Sequence, residues 1–220
     1  MELHHYQQLI KEISAQQAKL VAVSKTKPAA EILRLYQYGQ RAFGENRAQE
    51  LSEKQTALPQ DIEWHMIGHL QTNKVKFIAP FVHLIHSIDS FRVLKEVNKE
   101  AQKNNRVIDC LLQLKIAAED TKYGFDLQMV NDILKSEDFR DLQYVRICGL
   151  MGMATFTNNE LQVRKEFRQL KQAFTSIKKD YFPDTAHFKE ISMGMSGDYQ
   201  LALEEGSTIV RIGSLLFGAR

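Results

Sequence analysis

Lys25 directly follows an apolar run, Leu20-Val21-Ala22-Val23-Ser24. Two-residue alternation puts Val21, Val23 and Lys25 on one face of a strand. If that face points into a barrel, the amine is pushed into the mouth and partly desolvated. Desolvation lowers its pKa and frees a neutral amine to attack a carbonyl. The competing reading is a solvated lysine at a strand end. Lys27 alternates in phase with Lys25, so spacing alone does not choose between them. Pro28 sets Lys27 at the edge of a helix.

Two further segments have the make-up of an anion site. Ser192-Met193-Gly194-Met195-Ser196-Gly197-Asp198 combines glycines, serines and an incipient helix. Glycine lets the backbone approach an anion closely, and a helix start adds N–H donors and positive potential. An ordinary helix cap by Ser196 or Asp198 explains the same residues. Arg211-Ile212-Gly213-Ser214 offers a second glycine-serine turn. Arg211 faces inward if Val210 and Ile212 face outward, and a guanidinium there suits a phosphate oxygen or a heteroaromatic nitrogen. An interior salt bridge is the alternative. A phosphate grip and a strand-end lysine together point to capture of an aldehyde phosphate.

Other polar residues gather at predicted strand ends. Gly44-Glu45-Asn46 follows the second strand, and His65, Gly68, His69, Gln71 and Asn73 surround the end of the third. Two histidines four apart suggest a metal pair, but no third ligand appears at helical spacing, so hydrogen-bonding histidines are the reading and no metal is expected. Lys122-Tyr123-Gly124 follows the fifth strand, where a second cation can meet a ligand; a solvated loop explains the same residues. The methionines of Gly149-Leu150-Met151-Gly152-Met153-Ala154 read as packing.

These residues need a scaffold that brings strand ends together. Apolar runs over 20–24, 41–44, 62–67, 83–86, 106–116, 144–150, 187–191 and 208–212 read as strands. Amphipathic stretches over 2–18, 28–39, 48–57, 71–78, 90–102, 126–135, 160–179 and 198–203, with a short turn near 215, read as helices. About eight β-then-α units predict a closed (β/α)8 barrel, with function at the C-terminal ends of its strands. An open doubly wound sheet is the runner-up, weakened because no GxGxxG follows the first strand. One domain over 1–220 is expected, with a helix at 1–18 and the barrel at 19–220.

Composition narrows the function classes. The chain has 220 residues, 44% hydrophobic and 25% charged, with a net charge of +2. That balance suits a soluble core-forming domain and argues against a nucleic-acid or membrane-surface binder. No apolar stretch approaches the ~20 residues of a bilayer span, and no secretory leader is visible. Cys110 and Cys148 fit no metal spacing and read as buried, reduced thiols.

Several motifs match one family in order. Ala22-Val23-Ser24-Lys25-Thr26-Lys27-Pro28, Phe43-Gly44-Glu45-Asn46, Trp64 through Lys74, Gly149-Leu150-Met151, Ser192-Met193-Gly194-Met195-Ser196 and Arg211-Ile212-Gly213 resemble the pyridoxal phosphate homeostasis proteins (the YggS/PROSC-type family). The likeness runs from about Leu20 to Arg220. It implies an alanine racemase-type barrel that carries pyridoxal 5'-phosphate (PLP) as a Schiff base on Lys25. It implies phosphate contacts from Ser196, Arg211 and the Gly213-Ser214 backbone, with Asn46 near the ring. Thr121-Lys122-Tyr123-Gly124 resembles a loop whose lysine is linked to cofactor exchange. Met193 and His69, inside the matching segments, complete the expected cofactor-binding set. Arg47-Ala48 stands where the family often has Tyr-Val, so that tyrosine's ring contact is not carried over. Gly197 replaces a commoner Ala, Asp or Glu at little cost.

The function implied is binding, buffering or delivery of PLP in vitamin B6 balance, without efficient catalysis. PLP-dependent apoenzymes are the implied recipients, and a cytoplasmic monomer is expected. The rivals are a PLP enzyme such as a racemase or decarboxylase, and a sugar-phosphate enzyme with a Schiff-base lysine and no cofactor. A racemase needs a base on each face of the α-carbon. Lys25 is the evident one, with His69 or Tyr123 as a possible second, and the chain leaves no room for a racemase's second domain.

Overall fold

The protein is described by a computed structural model covering residues 2–118 and 123–218. Eight parallel strands close into a barrel in chain order, with the last pairing back to the first. They are β1 (Lys19–Val23), β2 (Ala42–Glu45), β3 (Glu63–Met66), β4 (Leu84–Ile88), β5 (Ile108–Gln113), β6 (Val145–Met151), β7 (Glu190–Ser192) and β8 (Ile209–Ile212). The helices are α1 (Leu3–Ala15), α2 (Ala29–Gln37), α3 (Ala48–Ala57), α4 (Val75–Ile78), α5 (Phe91–Lys103), α6 (Leu127–Lys135), α7 (Glu137–Arg140), α8 (Glu160–Tyr181), α9 (Tyr199–Glu204) and α10 (Ser214–Phe217). Closure of the sheet excludes the open-sheet alternative. Among the described residues, no helix is long and apolar enough to cross a membrane.

Strand alternation divides the apolar residues into two cores. Ala22, Phe43, Trp64, Val210 and Ile212 join the helix-facing core, together with Ile32, Leu35, Phe167 and Leu170 from the helices. Val21, Leu84, Leu111, Cys148, Met151 and Ile209 fill the barrel interior. Each wholly buried large aliphatic or aromatic side chain contributes about 1.5–3 kcal/mol. The alternation that sends Val210 and Ile212 outward turns Arg211 inward, as expected from the sequence. Cys110 and Cys148 are buried, unbridged thiols, and burial pushes Cys148 up to about 12 and Cys110 well above the usual thiol range.

Local signals set most boundaries. Pro28 caps α2 with extended backbone, and Gly39 ends it at φ +100°. Gln40 N–H donates to Leu35 O and Gly39 N–H to Tyr36 O, which closes the helix in a Schellman turn. The fifth strand is shorter than expected. Arg106 N–H donates to Ala101 O, so its backbone finishes α5, and its guanidinium binds Ala79 O and Val82 O. The expected 71–78 helix divides into a 3-10 turn over Thr72–Lys74 followed by α4. The four-residue α7, capped by Ser136 Oγ accepting from Phe139 N–H, is too short to leave a periodic signal.

Candidate functional site

A cavity of about 680 Å³ opens among the loops at the C-terminal ends of the strands. Lys25, Asn46, His69, Ser196, Arg211 and Gly213 all reach it, and Ser214 lies on its rim. Lys122 lies outside the described residues. Met193 is wholly buried in the helix-facing core and does not line the cavity, where Met195 appears instead. The cause is alternation: Ser192 faces inward, so Met193 faces outward. Arg47 is exposed and also does not line the cavity.

Lys25 sits one turn beyond β1 rather than in it. Lys27 N–H donates to Ser24 O at 3.0 Å, closing a tight turn with Lys25 and Thr26 at its centre. Thr26 has φ +65°, a left-handed conformation that costs a β-branched residue about 1–3 kcal/mol. Its surroundings impose that conformation. Thr26 N–H donates to Glu50 Oε1 at 2.6 Å, and Ser24 Oγ donates to Glu45 Oε1 at 2.6 Å. Lys54 Nζ ties the parts together, donating to Ser24 O, Glu45 Oε1 and Glu50 Oε1 at 2.7 Å each. Lys27 Nζ donates to Phe217 O at 2.9 Å, which anchors α10.

Glu45 is fully buried, and burial raises its pKa against the opposing pull of Lys54 and Ser24. Lys54→Met is therefore expected to destabilise the protein by about 3–5 kcal/mol, the usual effect of stranding one buried charge. A carboxyl whose folded pKa lies above its unfolded value loses stability as pH rises. The deficit should accordingly shrink as pH falls toward the ordinary carboxylate range. Denaturant unfolding of both proteins across that range reads this; an unchanged midpoint would remove Lys54 from the clamp.

The anion side of the mouth is built from two loops held to each other. Gly213 N–H donates to Ser196 Oγ at 3.2 Å, joining the loop after β7 to the turn after β8. Met195 N–H donates to Asp198 Oδ1 at 2.6 Å, and Asp198 is the N-cap residue of α9. Arg211 is 3% exposed. It donates through Nη1 to Ser192 Oγ and through Nη2 to Gly152 O at 3.1 Å. Both acceptors are neutral, and no ion pair to Arg211 is present among the described residues. Burial pushes its pKa down to about 10, with Asp198 opposing. At neutral pH this is still a buried cation whose hydrogen-bond acceptors among the described residues are neutral, beside a cavity large enough to hold an anion.

Asn46 is positioned by close backbone packing. A Cβ on Gly68 would stand 2.5 Å from Asn46 O, so only glycine fits there. His69 is a rim residue, its Nδ1 2.6 Å from Asp89 Oδ2 and its ring stacked on Tyr123 at 4.1 Å. His65 points into the barrel instead, so the i,i+4 pair does not meet. The chain there is a strand and loop, not a helix. His65 Nδ1 lies 2.8 Å from His86 Nε2, and His86 Nδ1 lies 2.8 Å from Ser192 Oγ. A buried polar line thus runs from His65 through His86 and Ser192 to Arg211. The clamp built on Lys54 and this line were both missed from sequence. Lys54 falls within the expected 48–57 helix and His86 within the expected 83–86 strand, and neither position marks its partners.

The fold and its mouth define a barrel of the alanine racemase N-terminal class, and the family model "Alanine racemase, N-terminal domain" matches residues 2–220. A "Pyridoxal phosphate homeostasis protein" of Aquifex aeolicus is 42% identical over 204 residues, 92% of this chain and 87% of that protein. The structure of PipY from Synechococcus elongatus without PLP superposes with a TM-score of 0.90 at 34% identity, over 99% of this chain and all of that one. PipY with PLP bound gives a TM-score of 0.87 at 33% identity over the same shares. This chain belongs to the pyridoxal phosphate homeostasis protein family.

Proposed function

We propose that this chain binds pyridoxal 5'-phosphate in the upper mouth of the barrel and serves in its intracellular homeostasis, buffering it or delivering it to PLP-dependent apoenzymes. The observation that carries this is the convergence of Lys25 with the buried Arg211 cation and the Ser196–Gly213 junction on one cavity. The cavity fits the group: an amine for the aldehyde, a cation and N–H donors for the phosphate, and room for a pyridine ring. When bound, PLP supplies an electrophilic aldehyde that a lysine captures covalently. Lys25 supplies that amine, the Ser24–Glu45–Lys54 clamp aims it, and Arg211, Ser196 and the Gly213-Ser214 backbone hold the anionic end. Asn46 and His69 bound the ring, and the Tyr123–His69 stack shields the rim from water. Lys122 belongs to the same proposal as an exchange residue, while Met193, whose backbone N–H and C=O are engaged by Ile209 and Ser207, supports the loop after β7 from the core.

Cytoplasmic residence and a monomeric chain complete this reading, the former supported by two unbridged, buried thiols. The test is a visible-range titration of the purified chain with PLP, followed by borohydride reduction and peptide mapping. One equivalent of yellow colour, fixed by reduction to the peptide carrying Lys25, is expected. A chain that stays colourless at saturating PLP would overturn the proposal. Racemisation or decarboxylation near ~10 per second would replace a carrier with an enzyme.

A further inference from the structure

At the opposite end of the barrel, the N-terminal ends of the strands surround a second cavity of about 290 Å³. Glu63 opens β3, and His65, two residues on, shares its face. His83 immediately precedes the neighbouring β4, and its N–H donates to Trp64 O at 2.8 Å. One ligating atom from each of Glu63, His65 and His83 lies within 4.8 Å of the other two. Glu63 Oε2 and His83 Nε2 are 4.0 Å apart.

His65 makes this more than a surface pair. Its side chain is buried, yet its Nε2 has no hydrogen-bond partner among the described residues. Leaving a buried ring nitrogen unpaired is costly. An exposed Glu63–His83 contact has little energetic value of its own and leaves the His65 nitrogen unexplained. The other ring nitrogen, Nδ1, is held by His86, which is held in turn by Ser192. A histidine fixed at one nitrogen and open at the other is the usual arrangement of a metal ligand with its supporting shell. The tautomer with its proton on Nδ1, donated to His86 Nε2, leaves the Nε2 lone pair open to an ion.

We propose that Glu63, His65 and His83 form a divalent transition-metal site, with zinc the ion that suits it best. Two imidazoles and one carboxylate match borderline ions; magnesium and calcium prefer all-oxygen sets. Tetrahedral zinc with bonds of about 2.0–2.1 Å wants its ligands roughly 3.4 Å apart. His65 is fixed, and the half-exposed Glu63 and His83 side chains have the rotamer freedom to close on it. Water takes the fourth position. Lys19, Arg146 and Lys189 also line this cavity, and their repulsion of an ion is offset in part because Lys19 pairs with Glu190 at 3.2 Å and Arg146 with Asp109 at 2.6 Å.

The full chain, stripped with chelator and titrated with zinc by calorimetry, is expected to bind one equivalent. Cobalt in its place is expected to give visible bands of four- or five-coordinate geometry. His83→Ala and Glu63→Gln, both at half-exposed positions, should each weaken zinc by at least about tenfold and leave PLP binding at the other mouth unchanged. His4 and His5, whose rings lie 3.9 Å apart on α1, are the competing surface chelator, so the His4→Ala/His5→Ala double variant should bind as the parent does. No zinc uptake, or uptake lost only in that double variant, overturns the site. Because PLP binding is read separately, loss of the metal site and failure of the cofactor proposal are distinguishable.

Discussion

Lys25→Ala is expected to give a folded protein that stays colourless with PLP and binds it more than about tenfold more weakly in equilibrium dialysis. The turn keeps its shape because backbone and neighbouring groups hold it. Ser24 N–H donates to Gly44 O, Lys27 N–H to Ser24 O, Thr26 N–H to Glu50, and Lys54 Nζ to Ser24 O. Residual binding persists because Arg211 and the Ser196–Gly213 junction remain. Lys27→Ala is the matched control. Its amine is committed to Phe217 O, so its removal should cost about 1 kcal/mol by loosening α10 and leave the colour intact. Colour that survives in Lys25→Ala and vanishes in Lys27→Ala would move the linkage two residues along the chain.

The barrel was legible because each unit needs one apolar run and one amphipathic stretch, and both leave short-range patterns. Boundaries slipped where a residue serves the helix before the strand. Arg106 is apolar-adjacent in sequence, yet its N–H finishes α5. Residue 149 shows a related effect. Gly149 has φ +151°, and an added Cβ would overlap Glu190 O at 1.8 Å, next to the register shift between β5 and β6. The sequence marks such a position only as a glycine in a strand.

The upper site was legible for a different reason. Lys25, Ser196, Arg211 and Gly213 lie at strand ends, where a barrel gathers whatever is polar. Met193 shows the limit of that logic, since a loop motif does not state which of its side chains turns inward. Residues that act through others were invisible. Lys54 lies about thirty residues from the turn it clamps, and His83 lies just before β4 while His65 lies in β3. Both relations exist only after the sheet closes, so no spacing along the chain encodes them.

Arg211→Gln should move cofactor affinity and stability in opposite directions. In the cofactor-free protein the guanidinium is a buried charge whose partners, Ser192 Oγ and Gly152 O, are neutral. Desolvation opposes that charge, which is why its pKa falls to about 10. Glutamine keeps a donor for one of those oxygens and removes the charge, so unfolding of the free protein should be unchanged or shifted to higher denaturant. The proposed phosphate loses a charge-assisted hydrogen bond of about 1.5–3 kcal/mol, or roughly 10- to 150-fold in affinity. A single preparation measured both ways decides the role. If affinity and stability fall together, Arg211 is a structural tie between β7, β8 and the loop after β6. If affinity alone falls, the barrel keeps a buried cation at a stability cost because its cofactor completes it. The lower histidines offer a check, since His86 shares Ser192 with Arg211. Zinc affinity in Arg211→Gln should stay near the parent value, because Glu63, His65 and His83 are untouched and His86 still has Ser192 Oγ.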